Sequence, residues 1–252
     1  MNYELTIAFD ADDTLWDNEI FFRQSEREFC KLINEYAPEW TERNIMPILF
    51  DTEVGNLSIY GFGVKSFVLS AIETAGKLLK DEVPYSIVKR ITEIGREQLM
   101  QPITLLADVE ATLAKLKSEG KYRLVLATKG DLLDQESKIN RSGLAKYFDR
   151  TIVMSDKQNE DYIKMLKDLN CKPEKLIMVG NSFKSDILPV VKLGGYGIYI
   201  PYHTTWAHEV IDTIEHPHIA EIERMQDLKQ ALRKLKVVGT QRAASYDPKG
   251  QI

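Results

Sequence analysis

The chain has 252 residues, 44% hydrophobic and 28% charged, with a formal net charge of -5. This is the composition of an ordinary globular protein of one large or two modest domains. The acidic balance argues against nucleic acid as a partner, because neutralising phosphates needs a basic excess. Cys30 and Cys171 lie far apart and offer neither a disulfide framework nor a metal-ligand spacing. No apolar run is long enough to span a membrane, and no cleavable targeting segment opens the chain. The expectation is a reduced, cytoplasmic protein with no membrane partner and no nucleic-acid partner.

Leu5-Thr6-Ile7-Ala8-Phe9 is a short apolar run, as expected of a strand buried on both faces. It ends in Asp10, Asp12, Asp13 and Thr14. In open α/β sheets, ligands bind beyond the carboxyl ends of the strands. Carboxylates crowded there repel one another unless a cation or a shared proton holds them. A polar turn with helix-capping aspartates is the plain alternative.

After Leu15 the pattern becomes helical. Asn18 is the expected cap of a helix through Phe21, Phe29 and Ile33 that ends near Ala37-Pro38. A second helical stretch starts around Thr41, with an interruption expected at Pro47 and a break at Gly55-Asn56. Tyr60-Gly61-Phe62-Gly63 reads as a flexible aromatic turn, and Lys65 as a candidate anion contact or a surface lysine. Further helices run through Phe67 and Ile72, and from Pro84 to about Met100. Nothing from 16 to 102 reads as a strand.

From residue 103 strands and helices alternate. Asp108 is the expected cap of a helix stopped by Gly120. Strands are expected at Arg123 to Ala127, Thr151 to Met154, Lys175 to Val179 and Tyr196 to Ile200. Helices follow near 132–141, 160–169, 187–193 and 227–236. This pattern predicts an α/β protein with a Rossmann-like, doubly wound parallel sheet. Residues 1–15 and 103–236 form its discontinuous core, 16–102 an inserted all-helical cap, and 237–252 a loosely held tail. His203, His208, His216 and His218 fall after the last predicted strand and read as a loop near the active edge rather than a metal site.

The strands end in chemistry. The first ends in Asp10, Asp12 and Thr14, the second in Thr128. Lys157 follows the third, and the fourth ends in Asn181 and Asp186. A parallel sheet carries all of these ends on one edge. The set resembles the haloacid dehalogenase-like hydrolase superfamily. Its D-x-D-x-T motif is matched by Asp10-Ala11-Asp12-Asp13-Thr14, its strand-end hydroxyl by Thr128 and its lysine by Lys157. Its G-D-x-x-x-x-D motif is matched by Gly180-Asn181 through Asp186. The helical insertion sits where that family places its C1 caps. Two positions depart from the pattern: Asp13 stands where glycine is common, and Asn181 replaces an aspartate.

The resemblance implies a Mg²⁺-dependent phosphatase acting on small phosphorylated metabolites. It implies Asp10 as the nucleophile forming an aspartyl-phosphate and Asp12 as general acid and base. Thr128 and Lys157 would contact the phosphoryl group. The metal would be held by Asp10, the Asp12 carbonyl, Asn181 and Asp186, with the neutral Asn181 amide weakening the anionic shell. Asp12 favours phosphatase over the family's 2-haloacid dehalogenases, because an alkoxide needs a proton and a halide does not. A receiver-like signalling module fits less well, since no later strand ends in an acceptor aspartate. A catalytically weak phosphate-binding regulatory protein rests on Asn181 alone. The oligomeric state is not readable from the sequence.

Overall fold

The computed structural model describes residues 3–80 and 82–235; the predicted tail at 237–252 lies outside them. Six parallel strands form one sheet: β1 Leu5–Phe9, β2 Tyr122–Lys129, β3 Arg150–Met154, β4 Leu176–Gly180, β5 Tyr196–Tyr199 and β6 Ile219–Glu221. Their order is β3-β2-β1-β4-β5-β6. β1 is therefore central, with Leu5 opposite Tyr122 on one side and Thr6 opposite Leu176 on the other. The switch in winding direction lies between β1 and β4, where such sheets bind ligands.

Strand alternation sends Ile7 and Phe9 into one apolar layer and Ala8 into the other. The first layer packs under α5 (Val109–Ser118) and the helix at 228–235. The second packs under α7 (Asn159–Asp168) and α8 (Leu188–Lys192). Between β2 and β3 runs α6 (Leu132–Arg141). The α/β architecture expected from the sequence is thus present.

The insertion after β1 comprises α1 (Glu19–Tyr36), α2 (Glu42–Tyr60), α3 (Val64–Leu78) and α4 (Tyr85–Leu99). These helices bury their own apolar cluster, centred on Phe29, Ile33, Leu49, Phe67 and Ile91, separate from both sheet layers. The chain enters and leaves the insertion side by side. Asp17 N donates to Thr104 O at 3.1 Å and Leu106 N to Leu15 O at 3.0 Å. Among the described residues, no helix is long and apolar enough to cross a membrane.

Three local expectations are corrected. α2 runs unbroken through Pro47, Gly55 and Asn56. Pro47 sits in the second turn, so its missing N–H removes a single early bond. Asn56 gains partners instead, donating to Ser70 Oγ at 3.1 Å and Glu73 at 3.0 Å. Neither Asn18 nor Asp108 makes a side-chain cap. The sheet has a sixth strand beyond the five expected, because three residues carry too little pattern to show as a strand.

Candidate active site

The turn after β1 is built on its own hydrogen bonds. Asp10 N donates to Val179 O at 2.9 Å, so Asp10 still belongs to the sheet edge. Thr14 Oγ1 donates to Asp10 Oδ2 at 3.0 Å. The Lys157 ammonium reaches between Asp10 Oδ1 and Asp186 Oδ1, the latter at 2.6 Å, and is only 2% exposed. Burial alone would drive its pKa down, but the two carboxylates hold it above the ordinary lysine value. The Asp186 acid is pushed up to about 7 by burial and by Asp10, with Lys157 opposing. Its other oxygen accepts from Ser182 N at 3.0 Å. Gly180 is required beside it, because a Cβ there would collide with the Asp186 carboxylate. Thr128, near the end of β2, is 1% exposed and lines the same cavity.

Asp12 leaves the turn in another direction and is held by three donors. Trp16 Nε1 donates to it at 2.7 Å, Gln135 Nε2 at 2.9 Å and Lys138 Nζ at 2.8 Å to both oxygens. Burial raises its pKa, and Lys138 with the other two donors outweighs that, so the carboxyl lies below its ordinary value. Gln135 and Lys138 are additions to the residues expected from the sequence. The available signal was their spacing: Asp131, Asp134, Gln135 and Lys138 share one face of the helix that directly follows Thr128.

Oxygen atoms crowd at Asn181. Its amide atom Oδ1 lies 3.2 Å from Thr14 Oγ1. The same amide atom lies 3.2 Å from the Asp12 carbonyl and 3.2 Å from Asp10 Oδ2. Ligands bound to Mg²⁺ at 2.0–2.1 Å in octahedral geometry lie about 3 Å from their neighbours. The donor set of one carboxylate, one carbonyl and one amide oxygen therefore fits a small hard cation. With the amide turned over, its NH₂ donates to the same oxygens, at 3.2 Å each. Among the described residues, no three His, Cys, Asp or Glu side chains form a metal cage, so the donors here are mixed.

Asp13 has a role that its sequence position did not disclose. It accepts from Asn18 N at 2.8 Å and from Glu19 N at 3.0 Å, capping α1 from five residues upstream. Burial pushes its acid up to about 8, against the pull of these backbone donors.

The cavity holds about 170 Å³ between the sheet edge and the insertion. Asp10, Asp12, Thr128, Lys157, Asn181 and Asp186 all line it. Its opposite wall comes from the cap: Glu19, Phe22, Glu26, Glu53, Phe62 and Phe67. Phe50 and Phe62 each meet Trp206 of the core edge-on, with ring centres 6.3 Å apart. Lys129 sits over the Phe62 ring at 4.2 Å. Lys65 pairs with Asp131 at 2.9 Å, so the anion it meets belongs to the protein. Gly63 allows this approach: its φ is 115°, and a Cβ would lie 3.3 Å from Asp131 N.

The histidine segment divides. His208 lies near Lys184 at the active edge, and its neighbour Glu209 lines the cavity. Glu209 is drawn down to about 2, because Lys129, Ser182 and Ser185 outweigh its burial. His218 instead stacks on Tyr196 at the start of β5, on the opposite sheet edge, and His216 contacts it there. Only part of the segment therefore lies near the site.

Carboxylates, a buried lysine and a hydroxyl at the carboxyl edge of a parallel sheet, under a helical lid, define a capped α/β hydrolase. Residues 5–194 match the model of the haloacid dehalogenase-like hydrolase family. The chain belongs to that family. A solved haloacid dehalogenase-like family hydrolase from Xanthomonas campestris superposes with a TM-score of 0.82 at 33% identity, over 95% of each chain. The glyceraldehyde 3-phosphate phosphatase of Methanothermobacter thermautotrophicus is 26% identical over 235 residues, covering 90% of this chain and 98% of its own. The Homo sapiens N-acylneuraminate-9-phosphatase is 24% identical over 192 residues, covering 72% of this chain and 75% of its own.

Proposed function

We propose that this hydrolase cleaves small phosphoric monoesters through an aspartyl-phosphate on Asp10, with Mg²⁺ bound beside it. One observation carries the reading: Asp12 presents a held carboxylate to the cavity that Asp10 and Lys157 share. An alkoxide leaving group needs a proton and a halide does not, which favours a phosphatase over a dehalogenase. The two phosphatase relatives support the same reaction type. The cavity of about 170 Å³ suits a small substrate, being near the size that holds a benzene ring, about 150 Å³.

In the first step an Asp10 oxygen attacks phosphorus in line, and the bond from phosphorus to the leaving oxygen breaks. Lys157 offsets charge on the phosphoryl oxygens, and the Thr128 hydroxyl donates to one of them. Asp12 passes a proton to the departing alkoxide. Because Lys138 holds Asp12 ionised, that proton enters with the substrate monoanion, whose second pKa is about 6. In the second step Asp12 takes a proton from water, the water oxygen attacks phosphorus, and Asp10 is released with inorganic phosphate. Mg²⁺, when bound, would supply positive charge that offsets the negative charge of the attacking carboxylate and the phosphoryl group. Asp10, the Asp12 carbonyl and Asn181 are the residues that would hold it. Asp186, held by Lys157 and Ser182 N, would add its charge to the same group.

Asp10→Asn is expected to lower turnover of 4-nitrophenyl phosphate by on the order of 10³-fold or more, with an unchanged circular-dichroism spectrum. EDTA should suppress the wild-type rate and added Mg²⁺ restore it. Wild-type turnover by the Asp10→Asn variant would refute the assignment.

A further inference from the structure

The far wall of the cavity carries information about the part of the substrate that leaves. Nine carboxyl groups and three ammonium groups line the cavity. The three lysines are already committed: Lys157 to Asp10 and Asp186, Lys138 to Asp12, and Lys129 to Glu209. On the cap side, Glu19, Glu26 and Glu53 face the space together. One guanidinium serves the first two: Arg23 meets Glu19 at 2.6 Å and Glu26 at 2.9 Å. Glu53 keeps a buried oxygen, Oε2, with no hydrogen-bond donor.

A second group on the core side has the same need. Gln135 is 3% exposed and lines the cavity beside Asp12. Its amide nitrogen is used by Asp12 and the Lys129 carbonyl. Its carbonyl oxygen, Oε1, is buried without a donor. A buried acceptor left unmatched costs about 1–3 kcal/mol, and a donor arriving with a ligand recovers it. Residues with an unmatched acceptor thus line the cavity on the lid side and on the core side, and no uncommitted cation lines it among the described residues.

We propose that the leaving group of the physiological substrate is rich in hydrogen-bond donors and carries no negative charge, as in a polyol or amino-alcohol phosphate. Glu53 and Gln135 read those donors. A leaving group with a carboxylate or a second phosphate brings further acceptors to a wall whose own acceptors are unmatched, finds no uncommitted cation to receive it among the described residues, and is rejected. This rests on the phosphomonoesterase reading and refines it.

The test uses the intact enzyme with Mg²⁺ and three esters of similar size: glycerol 3-phosphate, O-phosphoethanolamine and 3-phosphoglycerate. Each is measured for kcat/KM and as a competitor of 4-nitrophenyl phosphate turnover, so that even a slow ester gives an inhibition constant. Glycerol 3-phosphate or O-phosphoethanolamine should surpass 3-phosphoglycerate by tenfold or more, and the better of the two shows whether hydroxyl or ammonium donors are read. Glu53→Lys should shift the preference toward 3-phosphoglycerate by tenfold or more. Glu53→Gln, which keeps the shape of the side chain, should narrow the margin of O-phosphoethanolamine over 3-phosphoglycerate. Equal or better handling of 3-phosphoglycerate by the wild type would overturn the proposal, as would an unmoved ratio in Glu53→Gln. Failure to hydrolyse 4-nitrophenyl phosphate at all would instead overturn the underlying reaction.

Discussion

At position 13 the backbone turns through a φ of 61°, a region glycine enters freely, yet the residue is an aspartate. Its carboxylate compensates by capping α1, so the strain and the cap occupy one residue. Asp13→Gly loses the cap and relieves the strain, terms of about 1 kcal/mol each, and should change stability by less than about 0.5 kcal/mol. Asp13→Ala loses the cap and keeps the strain, so it should be less stable than Asp13→Gly by about 1 kcal/mol in urea unfolding. The order Gly above Ala is the diagnostic result. The role of Asp13 was not legible in the sequence, because it depends on a dihedral angle and on donors five and six residues away. The residues that cluster at Asp10 were legible, because Thr128 and Asn181 stand at strand ends, Lys157 follows three residues past β3, and Asp186 lies in the first helical turn after β4. Gln135 and Lys138 were harder to see. They sit within a helix, where a polar residue usually means a solvated face.

Among the elements, the contact between lid and sheet rests on an aromatic junction. Phe50 at the middle of α2 and Phe62 in the following turn both lean on Trp206. Two such pairs contribute about 1–3 kcal/mol beyond the area they bury. Trp206→Ala should therefore reduce the closed population and raise the KM for 4-nitrophenyl phosphate by about tenfold. Steady-state kinetics checks this, and an unchanged KM would mean that the lid is held elsewhere. The strand–helix alternation was readable because buried parallel strands are near-continuous apolar runs. The continuity of α2 was not, since tertiary partners of Asn56 outweigh the local weakness of Gly55 and Pro47.

Across the whole molecule, buried acids respond to pH in two opposite ways, with Asp13 and Asp186 of the core siding with the acids of the lid. Burial raises Glu19 to about 7 and Glu53 to about 8, from an ordinary value of 4.5. Both favour the folded lid when protonated, so their contribution is full below about pH 4.5 and is lost as the pH rises toward 8. Glu209, drawn down to about 2, stabilises the core above pH 4.5 and loses that contribution as the pH falls toward 2. The melting temperature should therefore peak near pH 5 and decline toward pH 8, with Glu53→Gln flattening the decline. A melting temperature that climbs steadily to pH 8 would contradict this balance. The central position of β1 has a kinetic consequence. Leu5 pairs with Tyr122, so the first rung of the sheet closes a loop of more than a hundred residues. For a flexible chain, that closure costs about 4 kcal/mol in entropy. The four helices of the insertion make mostly local contacts, and the tie between Asp17 and Thr104 brings the ends of that loop together. An insertion that forms early shortens the search for β1 and β2, so the lid that covers the finished site also acts as a splint for the sheet beneath it.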